Sequence, residues 1–349
     1  MIKNSYNFES EKIKELIKER GASRVGLQLP EGLKTVATGI AAEISQETGA
    51  EVIISGNSCY GACDVDEKLE RTVDLLFHFG HSEYNSFGKA FLLWGSAPRP
   101  RKPCKGLKKR FVRKENYQKK VFFIELRSSV DIKPVVEKAV AELKGNSVGL
   151  VATLQHVHGL KEAKMLLARF GKKAVIGKSN TLKYEGQVLG CEFSSAAMVP
   201  CEEILFIGSG SFHPAGLALY IGKRVIAADP FTMQIDIYEA EEPRKKRYVA
   251  IERALDAKSF GIIVGMKSGQ SNLSGAIALR RKAVEKGLNA YLITMDEIRE
   301  EKLLAFKVDA FVNTACPRLA EDFIHFKKPV LSANEFEVVL GERSWEGIF

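Results

Sequence analysis

Ser23-Arg24-Val25-Gly26-Leu27-Gln28-Leu29, with Pro30-Glu31-Gly32 directly after it, reads as an apolar strand running into a strand-to-helix turn. Leu33, Val36, Ile40 and Ile44 then recur at helical spacing, Gly49 stops the helix, and Glu51 to Ser55 form a second strand that enters a loop carrying Cys59. The same order returns twice. Asn146-Ser147-Val148-Gly149-Leu150-Val151-Ala152 leads to a turn, a helix from Leu160 to Phe170, Gly171 and a strand from Lys173 to Ile176. Lys258-Ser259-Phe260-Gly261-Ile262-Ile263-Val264 leads to a turn, a helix from Leu273 to Lys286, Gly287 and a strand from Ala290 to Ile293. The glycine inside the first strand recurs at Gly26, Gly149 and Gly261, intervals of 123 and 112 residues.

Third strands correspond as well, at Val73 to Gly80, Glu203 to Gly210 and Val308 to Ala315, and each is followed by a fourth: Val121 to Glu125, Arg224 to Ala228 and Pro329 to Ser332. Strands alternating with helices require parallel pairing with right-handed crossovers. The expected fold class is therefore α/β, with three pseudo-repeated small domains, each a mostly four-stranded parallel sheet flanked by helices. Residues 1–130 form the first, with an N-terminal helix from about Phe8 to Arg20; 131–240 form the second and 241–349 the third. One large doubly wound sheet is the competing architecture. In either case ligands gather beyond the C-terminal ends of the strands.

Composition narrows the class. The chain has 349 residues, 45% of them hydrophobic, too many for one ordinary core. No apolar run approaches the roughly 18–20 residues of a membrane helix, and Met1-Ile2-Lys3-Asn4-Ser5 opens onto a charged amphipathic pattern, so a cytoplasmic protein without membrane association is expected. The net charge of +9 is concentrated: twelve Lys/Arg against Glu115 lie between Lys89 and Lys120, a balance of +11 that leaves −2 elsewhere. This basic insertion, about 87–120, holds Pro98, Pro100 and Pro103, lies between the third and fourth strands of the first unit, and reads as a solvated surface excursion. Nucleic-acid binding is not expected, because no aromatic-rich signature accompanies the charges.

Six cysteines without a dense framework point to reduced thiols or metal ligands, and the absence of any Cys-x-x-Cys pair argues against a zinc ribbon. Cys59, Cys191 and Cys316 sit one per unit in loops beyond strand ends, within Ser58-Cys59-Tyr60-Gly61-Ala62-Cys63-Asp64, Gly186-Gln187-Val188-Leu189-Gly190-Cys191 and Asn313-Thr314-Ala315-Cys316-Pro317. If the three sheets face one axis, these thiols converge. Cys63 is a possible second ligand in the first loop, ranked below Cys59 because the other units offer no equivalent thiol. Cys104 and Cys201 have no such setting. Three thiolates suit a [4Fe-4S] cluster with one open iron, and zinc held by three thiolates and water is the alternative.

At Gly56 to Asp66, Phe77 to Tyr84, Thr153 to Leu160, Glu185 to Cys191, Ala228 to Phe231, Lys267 to Leu273 and Asn313 to Leu319 the sequence resembles the archaeal diphthamide synthase family, the 2-(3-amino-3-carboxypropyl)histidine synthases. The likeness extends along nearly all the chain, and the basic insertion is its departure. It implies a radical-SAM transferase lacking the usual Cys-x-x-x-Cys-x-x-Cys loop, with a [4Fe-4S] cluster on Cys59, Cys191 and Cys316. It implies transfer of the 3-amino-3-carboxypropyl group of S-adenosylmethionine to C2 of a histidine in translation elongation factor 2. It also implies a homodimer and an external electron donor. A quinolinate-synthase-like Lewis-acid dehydratase and a basic RNA-associated binding protein are the rival readings.

Candidates for holding S-adenosylmethionine are turn residues at strand ends. Ser209 and Gly210 follow a strand, Gln270 precedes a helix, Gln155 and His156 occupy the corresponding turn of the second unit, and Asp229 follows a fourth strand; each also suits ordinary turn chemistry. His78, His81 and His213 lie near strand ends, where imidazoles can handle protons.

Overall fold

The structure is a computed structural model describing residues 5–83, 119–319, 323 and 326–348. The basic insertion, except Lys119 and Lys120, and Cys104 lie outside the described residues.

The first unit runs α1 (Ser10–Arg20), β1 (Arg24–Gln28), α2 (Lys34–Thr48), β2 (Glu51–Ile54), α3 (Glu67–Thr72), β3 (Leu75–Phe79) and β4 (Val121–Ile124). The second runs α4 (Lys133–Ala139), β5 (Ser147–Ala152), α5 (Leu160–Arg169), β6 (Lys173–Val175), α6 (Ser194–Ala197), β7 (Glu203–Ile207), α7 (Phe212–Ile221), β8 (Val225–Ala228) and β9 (Ile235–Tyr238). The third runs α8 (Glu241–Leu255), β10 (Ser259–Gly265), α9 (Leu273–Glu285), β11 (Asn289–Met295), α10 (Glu300–Leu304), β12 (Ala310–Asn313), β13 (Val330–Ser332) and α11 (Ala333–Val339).

Three separate sheets form, in the orders β2-β1-β3-β4, β6-β5-β7-β8-β9 and β11-β10-β12-β13. The first four strands of each share one topology, all parallel; β9 adds to the second sheet antiparallel to β8. A single doubly wound sheet is thereby excluded. β9 escapes sequence reading because Asp236 breaks its apolar character and only half of each side-chain set is covered.

The recurrent glycine has a packing cause. Gly26, Gly149 and Gly261 lie at equivalent positions opposite Leu76, Ile204 and Phe311 of the neighbouring third strand. A Cβ at Gly26 would come within 2.9 Å of Leu76 Cδ1, one at Gly149 within 2.9 Å of Cys201 Sγ, and one at Gly261 within 2.8 Å of Ile293 Cδ1 and Phe311 Cδ1. A side chain there would press on residues covering the sheet. Cys201 is thus a packing residue beside the second sheet.

A carboxylate clamp recurs with the glycine. Asp74 Oδ2 accepts from the backbone N–H groups of Ser23 and Arg24 and from Ser23 Oγ. Glu202 Oε2 accepts from the N–H groups of Asn146 and Ser147, and Asp309 Oδ2 from those of Lys258 and Ser259. Each acid precedes a third strand and satisfies N–H groups at the start of the first, which aligns both strands at their N-terminal ends. Their C-terminal ends then finish together.

Each sheet has its own core. Val25, Leu27, Phe77 and Phe79 pack with Ile13, Ile17, Ile40 and Ile44 in the first unit. Leu150, Leu205 and Ile226 pack with Leu160 and Leu167 in the second. Ile262, Val312 and Leu331 pack with Ile251, Ala276 and Phe336 in the third. There α8 is fastened by a buried ion pair, Arg247 Nη2 to Glu335 Oε2 at 2.5 Å, with Arg247 also donating to the Val330 carbonyl. Among the described residues no helix is long and apolar enough to cross a membrane.

Candidate functional site

The C-terminal edges of the three sheets meet. The first and second units join where Gln155 Nε2 donates to the Gly80 carbonyl at 2.9 Å and Gln187 Nε2 to Ser82 Oγ at 3.1 Å. The first and third join where Lys267 Nζ pairs with Asp64 Oδ2 at 2.6 Å and Ser58 Oγ donates to Glu297 Oε1 at 3.1 Å. The second and third join where the Arg318 guanidinium lies 4.3 Å from the ring centroid of Phe212. Tyr60, on the thiol-bearing loop of the first unit, is flanked by Lys267 at 5.1 Å and Arg318 at 5.8 Å.

Local backbone brings the loops in. The turn before α9 passes so close to the first unit that a Cβ at Gly269 would lie 2.5 Å from Cys63 Cα, and the Gly269 N–H donates to the Cys63 carbonyl. The loop to Cys191 folds back along β5, with Gln187 bridging to Ala152, and a Cβ at Gly190 would strike the Phe212 ring. Asn313 at the end of β12 donates to the Cys316 carbonyl at 2.6 Å and accepts from the Ala315 N–H, which curls the chain around Cys316.

The thiols are not equivalent in this arrangement. Cys191 is pushed far up from its ordinary value by burial and then by the facing Cys316 and Cys63, the two thiols that weigh most on it. Cys63 is also raised by burial, while Gln270 Nε2 approaches its sulfur at 3.5 Å. Cys59 is pushed up to about 12 by burial and by Asp64, and Cys63 is the thiol that weighs on it. Its sulfur lies 3.8 Å from His78 Nε2 and its residue is only 4% exposed. Cys191 of the second unit thus has Cys316 of the third and Cys63 of the first as its neighbouring thiols, while the Cys59 sulfur stands beside His78. Sequence reasoning ranked Cys59 above Cys63 because the other units offer no equivalent second thiol, a comparison that does not say which of the two points inward.

The donor set fits a soft metal centre. Of three thiols from three loops, Cys63 and Cys191 lie in surroundings that disfavour a free thiolate and gain from a metal that takes the place of the proton. An iron–sulfur cluster needs such sulfur ligands.

The other expected residues divide. Gln270 reaches Cys63. Gln155 is used in the junction with Gly80. Ser209 Oγ donates to Asp229 Oδ1 at 2.8 Å, and the same oxygen accepts from the Phe231 N–H, so Asp229 builds the turn into Pro230. Gly210, at φ 81, has open space where a side chain would stand. His156 is 2% exposed, its Nδ1 has no hydrogen-bond partner, and burial lowers it to about 4. A neutral buried imidazole nitrogen without a partner, beside an anionic Asp229, is suited to a polar ligand group. Asp64, Tyr60 and Arg318 were not singled out in the sequence, because their roles arise only where two units touch.

Comparison with known proteins bears on the family and the fold. A family profile described as "Putative diphthamide synthesis protein" matches residues 29–94 and 107–349. A 2-(3-amino-3-carboxypropyl)histidine synthase of Pyrococcus horikoshii is 36% identical over 341 residues, covering 96% of this chain and 90% of the relative. Subunit 1 of the corresponding synthase of Nematostella vectensis is 30% identical, covering 99% and 70%. The crystal structure of Dph2 from Pyrococcus horikoshii with a 4Fe-4S cluster superposes with a TM-score of 0.81 at 33% identity, covering 97% of this chain and 92% of that one.

Proposed function

Because the chain belongs to the diphthamide synthesis protein family, we propose that it is a 2-(3-amino-3-carboxypropyl)histidine synthase whose cluster is held by Cys63, Cys191 and Cys316. The observation that carries the reading is the approach of these three thiols from three sheet edges. The protein it modifies is translation elongation factor 2, at one histidine. Three domains, 1–130, 131–240 and 241–349, each contribute one ligand, and the division at 240 falls between β9 and α8.

A reduced [4Fe-4S] cluster held by Cys63, Cys191 and Cys316 would supply one electron to the sulfonium of S-adenosylmethionine, the chemistry that separates methylthioadenosine from the 3-amino-3-carboxypropyl group. The chain's own part is positional. Lys267 and Asp64 hold the Cys63 loop, and the Arg318–Phe212 contact holds the Cys316 loop against the second unit. His156, Ser209, Gly210 and Asp229 form a polar rim on the second unit for the adenosyl and amino acid groups of the cosubstrate. The close joints at Gly80, Gly269 and Phe212 keep water from the reacting fragment. The protein works in the cytoplasm as a homodimer fed by a separate electron donor, and sedimentation of the purified chain tests the dimer.

Anaerobic, cluster-loaded protein incubated with dithionite and S-adenosylmethionine is expected to release methylthioadenosine and to label elongation factor 2. Absence of methylthioadenosine from protein that carries its iron would sink the reading and favour Lewis-acid chemistry.

A further inference from the structure

We propose that Cys59, His78 and His81 form a second metal site, separate from the cluster and suited to a borderline divalent ion such as Zn2+. The proposal rests on the reading above that Cys63, not Cys59, serves the cluster. The three ligand atoms lie within 4.8 Å of one another, with Cys59 and His78 buried and His81 partly so. His78 Nε2 stands 3.8 Å from Cys59 Sγ and 2.9 Å from His81 Nδ1. For metal–sulfur and metal–nitrogen bonds of about 2.3 and 2.0–2.1 Å in tetrahedral array, the corresponding separations are about 3.5 and 3.3 Å. Shifts of a few tenths of an ångström bring His78 to both of these separations, and Cys59 and His81, within 4.8 Å of each other, close around the same ion.

The supporting shell is built. His78 sits directly across from Gln28 in the β1–β3 pair, and His78 Nδ1 lies 2.9 Å from Gln28 Oε1. Gln28 is itself held, since its Nε2 donates to the Asp64 carbonyl at 2.7 Å and its Oε1 accepts from the Asp66 N–H at 3.0 Å. With the amide so oriented, Oε1 can only accept, so His78 carries its proton on Nδ1 and leaves Nε2 bare toward Cys59 and His81. Fixing a ligand histidine's tautomer by a hydrogen bond to its other nitrogen is how metal sites orient imidazole. Burial also keeps both imidazoles neutral, the form that ligates. Water completes the fourth position. The ion ties the loop that carries both Cys59 and Cys63 to the end of β3.

The test uses the cluster-loaded enzyme, washed with EDTA under anaerobic conditions, equilibrated with Zn2+, dialysed, and analysed for zinc and iron in one sample. The expected result is about one zinc beside about four irons per chain. Cys59→Ser and His81→Ala are each expected to lose at least tenfold in zinc affinity with iron unchanged, and Gln28→Leu to lose about 10–100-fold. Co2+ in place of zinc should show thiolate-to-cobalt charge transfer that Cys59→Ser abolishes. A wild type that keeps its iron and takes no zinc, or a Cys59→Ser protein that binds zinc as well as wild type, overturns the site. Loss of iron from Cys59→Ser overturns it differently, by assigning Cys59 to the cluster. Iron thus reports on the cluster reading and zinc on the second site.

Discussion

Two cysteines four residues apart end with different surroundings, and this divides their expected phenotypes. Cys63 faces Cys191 and Cys316, so Cys63→Ala reconstituted anaerobically is expected to lose most of the roughly four irons per chain that wild type holds. Cys59→Ser should keep them, and iron analysis of the two proteins side by side decides between them. Lys267 and Asp64 are a largely buried pair, 15% and 6% exposed at their side chains. Lys267→Met strands the Asp64 carboxylate and is expected to cost about 3–5 kcal/mol by chemical denaturation, together with weaker iron retention. That cysteines in these loops carry the chemistry was legible in the residues, because thiols beside Gly and Pro in turns have no core to fill. Which thiol of the first loop turns inward was not, because the choice depends on Gly269 and Gln270 arriving from more than two hundred residues away.

At the level of strands, the repeated glycine and the repeated carboxylate make one device. Gly261→Ala places a methyl group 2.8 Å from Ile293 and Phe311, and is expected to destabilise by about 1–3 kcal/mol in a urea titration, with the iron site intact in the protein that folds. The Asp74 and Asp309 carboxyls are held below their ordinary range, chiefly by the backbone N–H of Arg24 and the Ser259 hydroxyl respectively. A carboxyl with a lowered folded-state value stabilises fully above its unfolded value of about 3.9, and that stabilisation disappears as pH falls through the folded value. The drop in melting temperature on acidification below about pH 4 should therefore be smaller in the double variant Asp74→Asn, Asp309→Asn than in wild type. The parallel strands were legible in order, since short continuous apolar runs such as Val25 to Leu29 and the helical spacing of Leu33, Val36, Ile40 and Ile44 separate cleanly. The antiparallel β9 was not, because its partly covered residues, Ile235 and Tyr238, fall on opposite faces and leave no alternating pattern.

For the whole molecule, function depends on three sheets meeting at their C-terminal edges. Gly269→Val pushes on Cys63 Cα and Cβ, and is expected to lower both iron content and methylthioadenosine release while the three cores, far from the joint, keep their secondary structure by circular dichroism. An unchanged methylthioadenosine yield would show that the joint between the first and third units is not needed. By itself the sequence determined three α/β units, their strand order in outline, and a set of loop thiols suited to a soft metal, because local periodicity and turn chemistry are written in neighbouring residues. Only the tertiary structure decided that the three edges meet, that Cys63 faces Cys191 and Cys316, and that Cys59 turns to His78 and His81. Those outcomes rest on contacts between units, such as Gln155 to Gly80, Lys267 to Asp64 and Arg318 to Phe212, which no local pattern records.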